Sequence, residues 1–194
     1  MANYVTDIQQ LYVAYFNRPA DPAGLNYWNA VVAANKGSTT AVSAAFAGSA
    51  EYKAAYAGMN STQIVDKVYQ NLFGRSAEPN GLAYWALVLD QKNATIDNVV
   101  TTIANAALGT DATAYKNKVT AATSFTNALD TNAKIVGYEG DAALNIGKAF
   151  ISSVTDDASL AKALAGDSLK TILDSIAILD SSAGQLTVGT LTNG

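Results

Sequence analysis

Two short runs hold most of the side chains that could do chemistry. LYVAYFNRPADPAGLNYW spans Leu11 to Trp28, and VYQNLFGRSAEPNGLAYW spans Val68 to Trp85, so each position of the first recurs 57 positions later in the second. Arg18 and Arg75 each carry a guanidinium fork able to grip a phosphate or carboxylate. Asp21 and Asn80 add planar hydrogen-bonding groups, and the pairs Tyr27-Trp28 and Tyr84-Trp85 offer flat apolar faces of the kind that stack on sugar rings. Arg18, Asp21, Tyr27, Arg75, Asn80 and Tyr84 are therefore the candidate glycan-contacting positions. The competing reading is architectural: aromatic residues at this spacing usually close the core of a helix pair. Each arginine would then bridge to Asp21 or Glu78, or to carbonyls of the turn.

Other chemistry is narrowed by what the chain lacks. Its 194 residues include no cysteine and no histidine, which removes disulfides, thiolate metal sites and the commonest general base together. A pair of carboxylates could still cleave a glycosidic bond without histidine. Here the Asp and Glu residues are scattered and fall mostly at helix starts, so no enzyme activity and no catalytic residue is expected. Asp156-Asp157 fits either a calcium ligand pair or a helix N-cap, with the cap the better account. Whether any metal binds the chain is left open. A net charge of −4 without clustered Lys or Arg argues against nucleic acid as a partner. No apolar run is long enough to span a membrane, so no insertion is expected, and the N-terminus has no basic-then-apolar leader. The remaining options are a cytoplasmic location or export by a C-terminal signal beyond this chain.

The elements that position the motif read as helix, turn, helix, twice. Ile8, Leu11, Tyr12, Tyr15 and Phe16 form one apolar stripe, as do Val65, Val68, Tyr69, Leu72 and Phe73, so each first helix is expected to bury one face. Thr6 and Thr62 are the expected N-caps. Phe16-Asn17 and Phe73-Gly74 end these helices on the residue types that best tolerate a left-handed C′ position. The second helices open at Pro22 and Pro79, where a missing N–H costs nothing. Gly24, Leu25 and Trp28, with Gly81, Leu82 and Trp85, complete the structural markers. Further helices are expected over 39–47, 49–56, 95–108 and 111–129, a polar boundary over 130–141, then helices from 142 to about 153, after 156–157, and from 167 to 179. The fold class is all-α: two related helical-bundle units over 1–58 and 59–130, a smaller C-terminal helical segment over 142–180, and an extended tail over 181–194 that reads as a linker or the start of a following domain.

A helix ending in F-x-R and followed by D/E-P-x-G-L-x-Y-W resembles the domain of unknown function DUF4214, most strongly over residues 4–34 and 61–92 and less so to about 125. Phycobilisome linker domains are a more distant likeness, disfavoured by the acidic balance here. The resemblance extends to the N-terminal regions of Gram-negative S-layer proteins that anchor the layer to lipopolysaccharide. It implies export by a type I system to the outer face of the outer membrane, with a C-terminal signal and calcium-binding repeats in a downstream region and no cofactor in this chain. The implied function is a non-enzymatic cell-surface anchoring module that binds lipopolysaccharide or another surface glycan; the alternative is a protein–protein module for lateral self-association of a layer or adhesin. The family has no accepted catalytic residues, so the motif positions transfer only as structural markers. Glu78 in place of the usual Asp, and Gly74 opposite Asn17, make the second copy depart mildly from the first.

Overall fold

A computed structural model describes residues 3–189, except the side chains of Ile96, Asp97 and residues 180–189. Those residues form twelve α-helices and no strand: α1 (Val5–Phe16), α2 (Pro22–Ala34), α3 (Thr40–Gly48), α4 (Ala50–Tyr56), α5 (Ser61–Phe73), α6 (Pro79–Asp90), α7 (Ile96–Asn105), α8 (Gly109–Asn127), α9 (Asn132–Gly137), α10 (Gly140–Ser152), α11 (Asp157–Leu164) and α12 (Gly166–Gly189). The all-α class and the two repeat-like units are thus present, with α1–α4 mirrored by α5–α8. The stretch expected as an extended tail continues α12 as far as Gly189 instead. Residues 190–194 of that tail lie outside the described residues.

Local backbone chemistry sets the ends of the motif helices. Asn17 (φ 52°) and Gly74 (φ 73°) both occupy the left-handed position after α1 and α5, so two different residues meet one conformational demand. The N-termini differ from expectation: α1 is flanked by Tyr4, and α5 by Asn60 in a capping box with Gln63, leaving Thr6 and Thr62 inside the first turns. Asp21 caps α2 by accepting from the Gly24 N–H at 2.6 Å. Glu78 stands at the same place before α6 without a side-chain cap bond, because its carboxylate reaches back to Arg75. Ser49 caps α4, Thr95 caps α7 in a capping box, and Asp156 caps α11 with Ser159 returning the bond, which is the role expected of that aspartate.

Two apolar cores share one helix. The first gathers the stripes of α1 and α5 with Phe46, Tyr52, Tyr56, Val99 and Ile103. The second joins Phe125, Tyr138, Phe150, Ile151, Leu173 and Ile176 from α8, α10, α12 and the end of α9, together with Val13 of α1. From Leu11 to Phe16 every residue of α1 is buried, so α1 packs all round and not on one face, because α8 covers its far side. Helix α5 keeps the single buried face its pattern implied. The polar stretch 130–141 contains α9 and the buried ring of Tyr138, neither foreseen from its composition. Helix α9 lies so close to α12 that a side chain at Gly137 would strike the backbone of Ile176.

Candidate functional site

Each motif turn is held by an arginine that grips the first turn of a later helix. Arg18 directs Nε and Nη2 at the Glu51 carboxylate in α4 (3.1 and 3.0 Å), while Nη1 donates to the Pro19 carbonyl at 3.2 Å. Arg75 repeats the arrangement on α8: Nε and Nη2 reach Asp111 at 2.8 and 2.6 Å, and Nη1 donates to the Ser76 carbonyl at 2.9 Å. These are paired, charge-assisted contacts that use both edges of the guanidinium. Arg75 also pairs with Glu78 at 2.7 Å, as the sequence suggested, whereas Arg18 pairs with Glu51 and not with Asp21. Burial would raise the Glu51 carboxyl, but the bonds and charges of Arg18 and Lys148 outweigh it and hold the group below its ordinary value. Both arginines serve the architecture in this state.

The same turns contain residues that the sequence reading passed over. Gln9 accepts from the Ala20 N–H at 3.1 Å, and Asp66, 57 positions later, accepts from the Ala77 N–H at 3.1 Å. Their common offset was a usable signal hidden by the change of residue type. Glu51 and Asp111 were missed for another reason: they lie 60 positions apart, since the link from α7 to α8 is two residues longer than that from α3 to α4 and Asp111 stands one position further into its helix. The first turn is further roofed by the C-terminal part of the chain. Gln9 Nε2 donates to Thr126 Oγ1 at 2.8 Å, Thr126 Oγ1 donates to the Ala20 carbonyl at 2.6 Å, and the Tyr138 hydroxyl donates to the Pro19 carbonyl at 3.2 Å.

The aromatic pairs divide their work. Trp28 packs edge-on against Phe46 with centroids 5.4 Å apart and its side chain approaches the Tyr12 hydroxyl, as that of Trp85 approaches the Tyr69 hydroxyl in the second unit. A Cβ on Gly24 would strike the Tyr12 hydroxyl and crowd the Asp21 carboxylate, so the motif glycine makes room for this contact. Tyr27 and Tyr84 remain 62% and 59% exposed, and Asn80 is exposed beside Tyr84. Of the six candidate positions, then, Arg18, Asp21 and Arg75 are engaged inside the protein, while Tyr27, Asn80 and Tyr84 face solvent on the matching sides of α2 and α6. They do not converge on one site.

A different place brings polar groups together. A groove of about 460 Å³ runs between the units, walled by Asp7, Gln10 and Leu11 of α1, Thr40 and Ser43 of α3 with Thr39 before it, Asn98, Thr101 and Asn105 of α7, and Tyr15 and Tyr115. Among the described residues no Lys or Arg lines it, and Asp7 is the charged group in its wall. The Tyr115 hydroxyl is spent on the Gln10 carbonyl at 2.8 Å, and Asn98 closes the α7 capping box. The side chains of Gln10, Thr39, Ser43 and Asn105 make no hydrogen bond among the described residues. They present hydroxyl and amide groups beside aromatic and aliphatic walls. Among the described residues no three Asp, Glu, His or Cys side chains gather as a metal site, and no helix is long and apolar enough to cross a membrane.

Comparison with known proteins gives one match. The family model described as Domain of unknown function (DUF4214) matches residues 3–56 and 43–107, which together run from 3 to 107 and cover more than half of the chain. No curated protein and no solved structure matches it.

Proposed function

This chain belongs to the DUF4214 family, and from that premise we propose that it is a non-enzymatic anchoring module, which holds a secreted surface protein to lipopolysaccharide glycan through the groove between its two repeat units. The observation that carries the reading is the lining of that groove. Sugars are held by planar amides and hydroxyls set against an apolar wall, and Gln10, Thr39, Ser43 and Asn105 are uncommitted beside Tyr15, Tyr115 and Leu11. Asp7 in the wall, with no Lys or Arg beside it among the described residues, favours an uncharged stretch of glycan over a phosphorylated one. Asp21 and Asp156 are committed to helix caps and Glu51, Glu78 and Asp111 to ion pairs, so this reading gives none of these carboxylates an acid–base role. Placement at the outer face of the outer membrane, as part of a surface layer, rests on the resemblance of the motif to anchoring regions of S-layer proteins.

The test is co-sedimentation with purified smooth and rough lipopolysaccharide, with and without calcium, beside bare lipid vesicles. Pelleting with the smooth form, weakened about tenfold in Gln10→Ala and Asn105→Ala, is the expected result. Pelleting with neither form would refute the anchor reading.

A second reading, lateral self-association, is favoured by the uncharged stripes exposed on α2 (Ala23, Asn26, Tyr27, Ala30) and α6 (Asn80, Ala83, Tyr84, Leu87), which occupy matching repeat positions. Its mark would be a sedimentation coefficient that climbs with concentration in the absence of glycan.

A further inference from the structure

We propose that a second, smaller cavity is a binding site for a phosphate group, independent of the glycan reading of the groove. The cavity, of about 100 Å³, lies where four elements meet: Phe16 and Asn17 end α1, Glu51 and Ala55 come from α4, Lys67 and Asn71 from α5, and Lys148 from α10. That volume holds about three waters, or one tetrahedral oxyanion of similar size.

Its electrostatics are cationic. Lys67 and Lys148 line the cavity and Arg18 stands behind Glu51, so three positive groups face one carboxylate. Glu51 is already gripped by Arg18 at 3.0 Å and by Lys148 at 3.0 Å, which directs its charge away from a ligand. Lys67 has no carboxylate partner among the described residues; its ammonium lies 5.9 Å from the centre of the Tyr56 ring. An anion entering here would meet one uncommitted ammonium and a second that is half-committed.

An orphaned acceptor supplies an independent indication. Asn17 is 8% exposed, its Nδ2 donates to Ser152 Oγ at 2.8 Å, and its Oδ1 is buried with no partner. A buried acceptor without a donor is costly, and such groups commonly mark a missing water or ligand. A monoprotonated phosphate supplies what is absent once the Asn17 amide turns toward the cavity: its P–OH then donates to Asn17 Oδ1, while its charged oxygens accept from Lys67 and Lys148. Neither a carboxylate nor a sulfate carries that donor at neutral pH. The second repeat has no counterpart, because Gly74 replaces Asn17 and has no side chain to offer.

The experiment uses the whole chain and two probes, inorganic phosphate and glucose 6-phosphate, titrated at constant ionic strength with sulfate and chloride as controls. The side-chain amide signals of Asn17 and Asn71 are followed by NMR. Saturable shifts with phosphate and not with sulfate are expected, weakened tenfold or more in Lys67→Met, which breaks no ion pair. Asn17→Gly copies the residue of the second repeat, keeps the left-handed cap, and should weaken binding of inorganic phosphate as judged from Asn71. Saturation by glucose 6-phosphate as well would identify a phosphomonoester on a larger molecule as the ligand, and saturation by inorganic phosphate alone would identify the free ion. Equal, unsaturable shifts with all four salts, or full binding by Lys67→Met, would overturn the proposal.

Discussion

Replacing Lys118 by methionine should make this protein more stable. Lys118 lies in α8 with no exposed surface, and its Nζ has no hydrogen-bond partner among the described residues. Burial alone pulls the ammonium down from 10.5 to about 8. The gap between 10.5 and about 8, at 1.36 kcal/mol per pH unit, corresponds to a cost of about 3 kcal/mol for keeping the group charged at pH 7. The sign follows from proton uptake. Between pH 8 and 10.5 the unfolded chain still holds a proton on Lys118 that the folded chain has shed, so this group's contribution rises with pH and its penalty is fully present below pH 8. Methionine keeps the length and apolar contacts of the lysine stem while removing the charge. Urea unfolding of wild type and Lys118→Met should give a difference of about 3 kcal/mol at pH 7, falling to about 1 kcal/mol at pH 10. Comparing the two proteins at each pH cancels the titration of the buried tyrosines. A variant no more stable than wild type at pH 7, or a difference that stays constant with pH, would refute the reasoning.

Three further outcomes follow from the motif. Gly24→Ala should cost about 1–3 kcal/mol through collision with Tyr12 and Asp21, while Gly81→Ala, whose Cβ would sit 3.1 Å from the Tyr69 hydroxyl, should come near neutral because helix propensity offsets it; paired thermal melts read the contrast. Glu51→Gln should destabilise by about 2–3 kcal/mol at pH 7 by stranding Arg18, after discounting for the partial exposure of Glu51. Since the Glu51 carboxyl is held low in the folded protein, that loss should fade in acid unfolding as pH drops through the folded value. Tyr27→Ala and Tyr84→Ala should each change stability by less than about 1 kcal/mol, against about 3 kcal/mol for Trp28→Ala, in chemical denaturation of the four proteins side by side.

The helix pairs of the motif were legible in the sequence because their signals are local. The apolar stripes, Asn17 and Gly74 at the left-handed positions, and Pro22 and Pro79 at the helix starts all act within one or two turns. What escaped depends on distance in the chain. Gln9 on the far side of α1 is satisfied by Ala20 and by Thr126, 117 residues on, and the carboxylates that receive Arg18 and Arg75 lie 33 and 36 residues away. Tyr138 sits in a stretch whose Asp, Thr, Asn and Gly content signals a boundary, yet its ring is buried by α8 and α10. The groove was invisible for the same reason: α1, α3, α7 and α8 each contribute one or more ordinary polar residues that mean nothing until the units meet.

The enclosure of α1 from Leu11 to Phe16 has a kinetic consequence. Its partners arrive late: Gln9 waits for Thr126, 117 positions on, and the carbonyl of Pro19 waits for Tyr138, 119 positions on. Contacts of such long sequence separation close slowly, because the loop entropy is spent before any apolar surface is gained. A nascent chain released through residue 58 would therefore carry α1 with Val13 and Gln9 bare, and would begin to gain these partners only once α8 had been made. The first helix synthesised is thus among the last to have its far face covered.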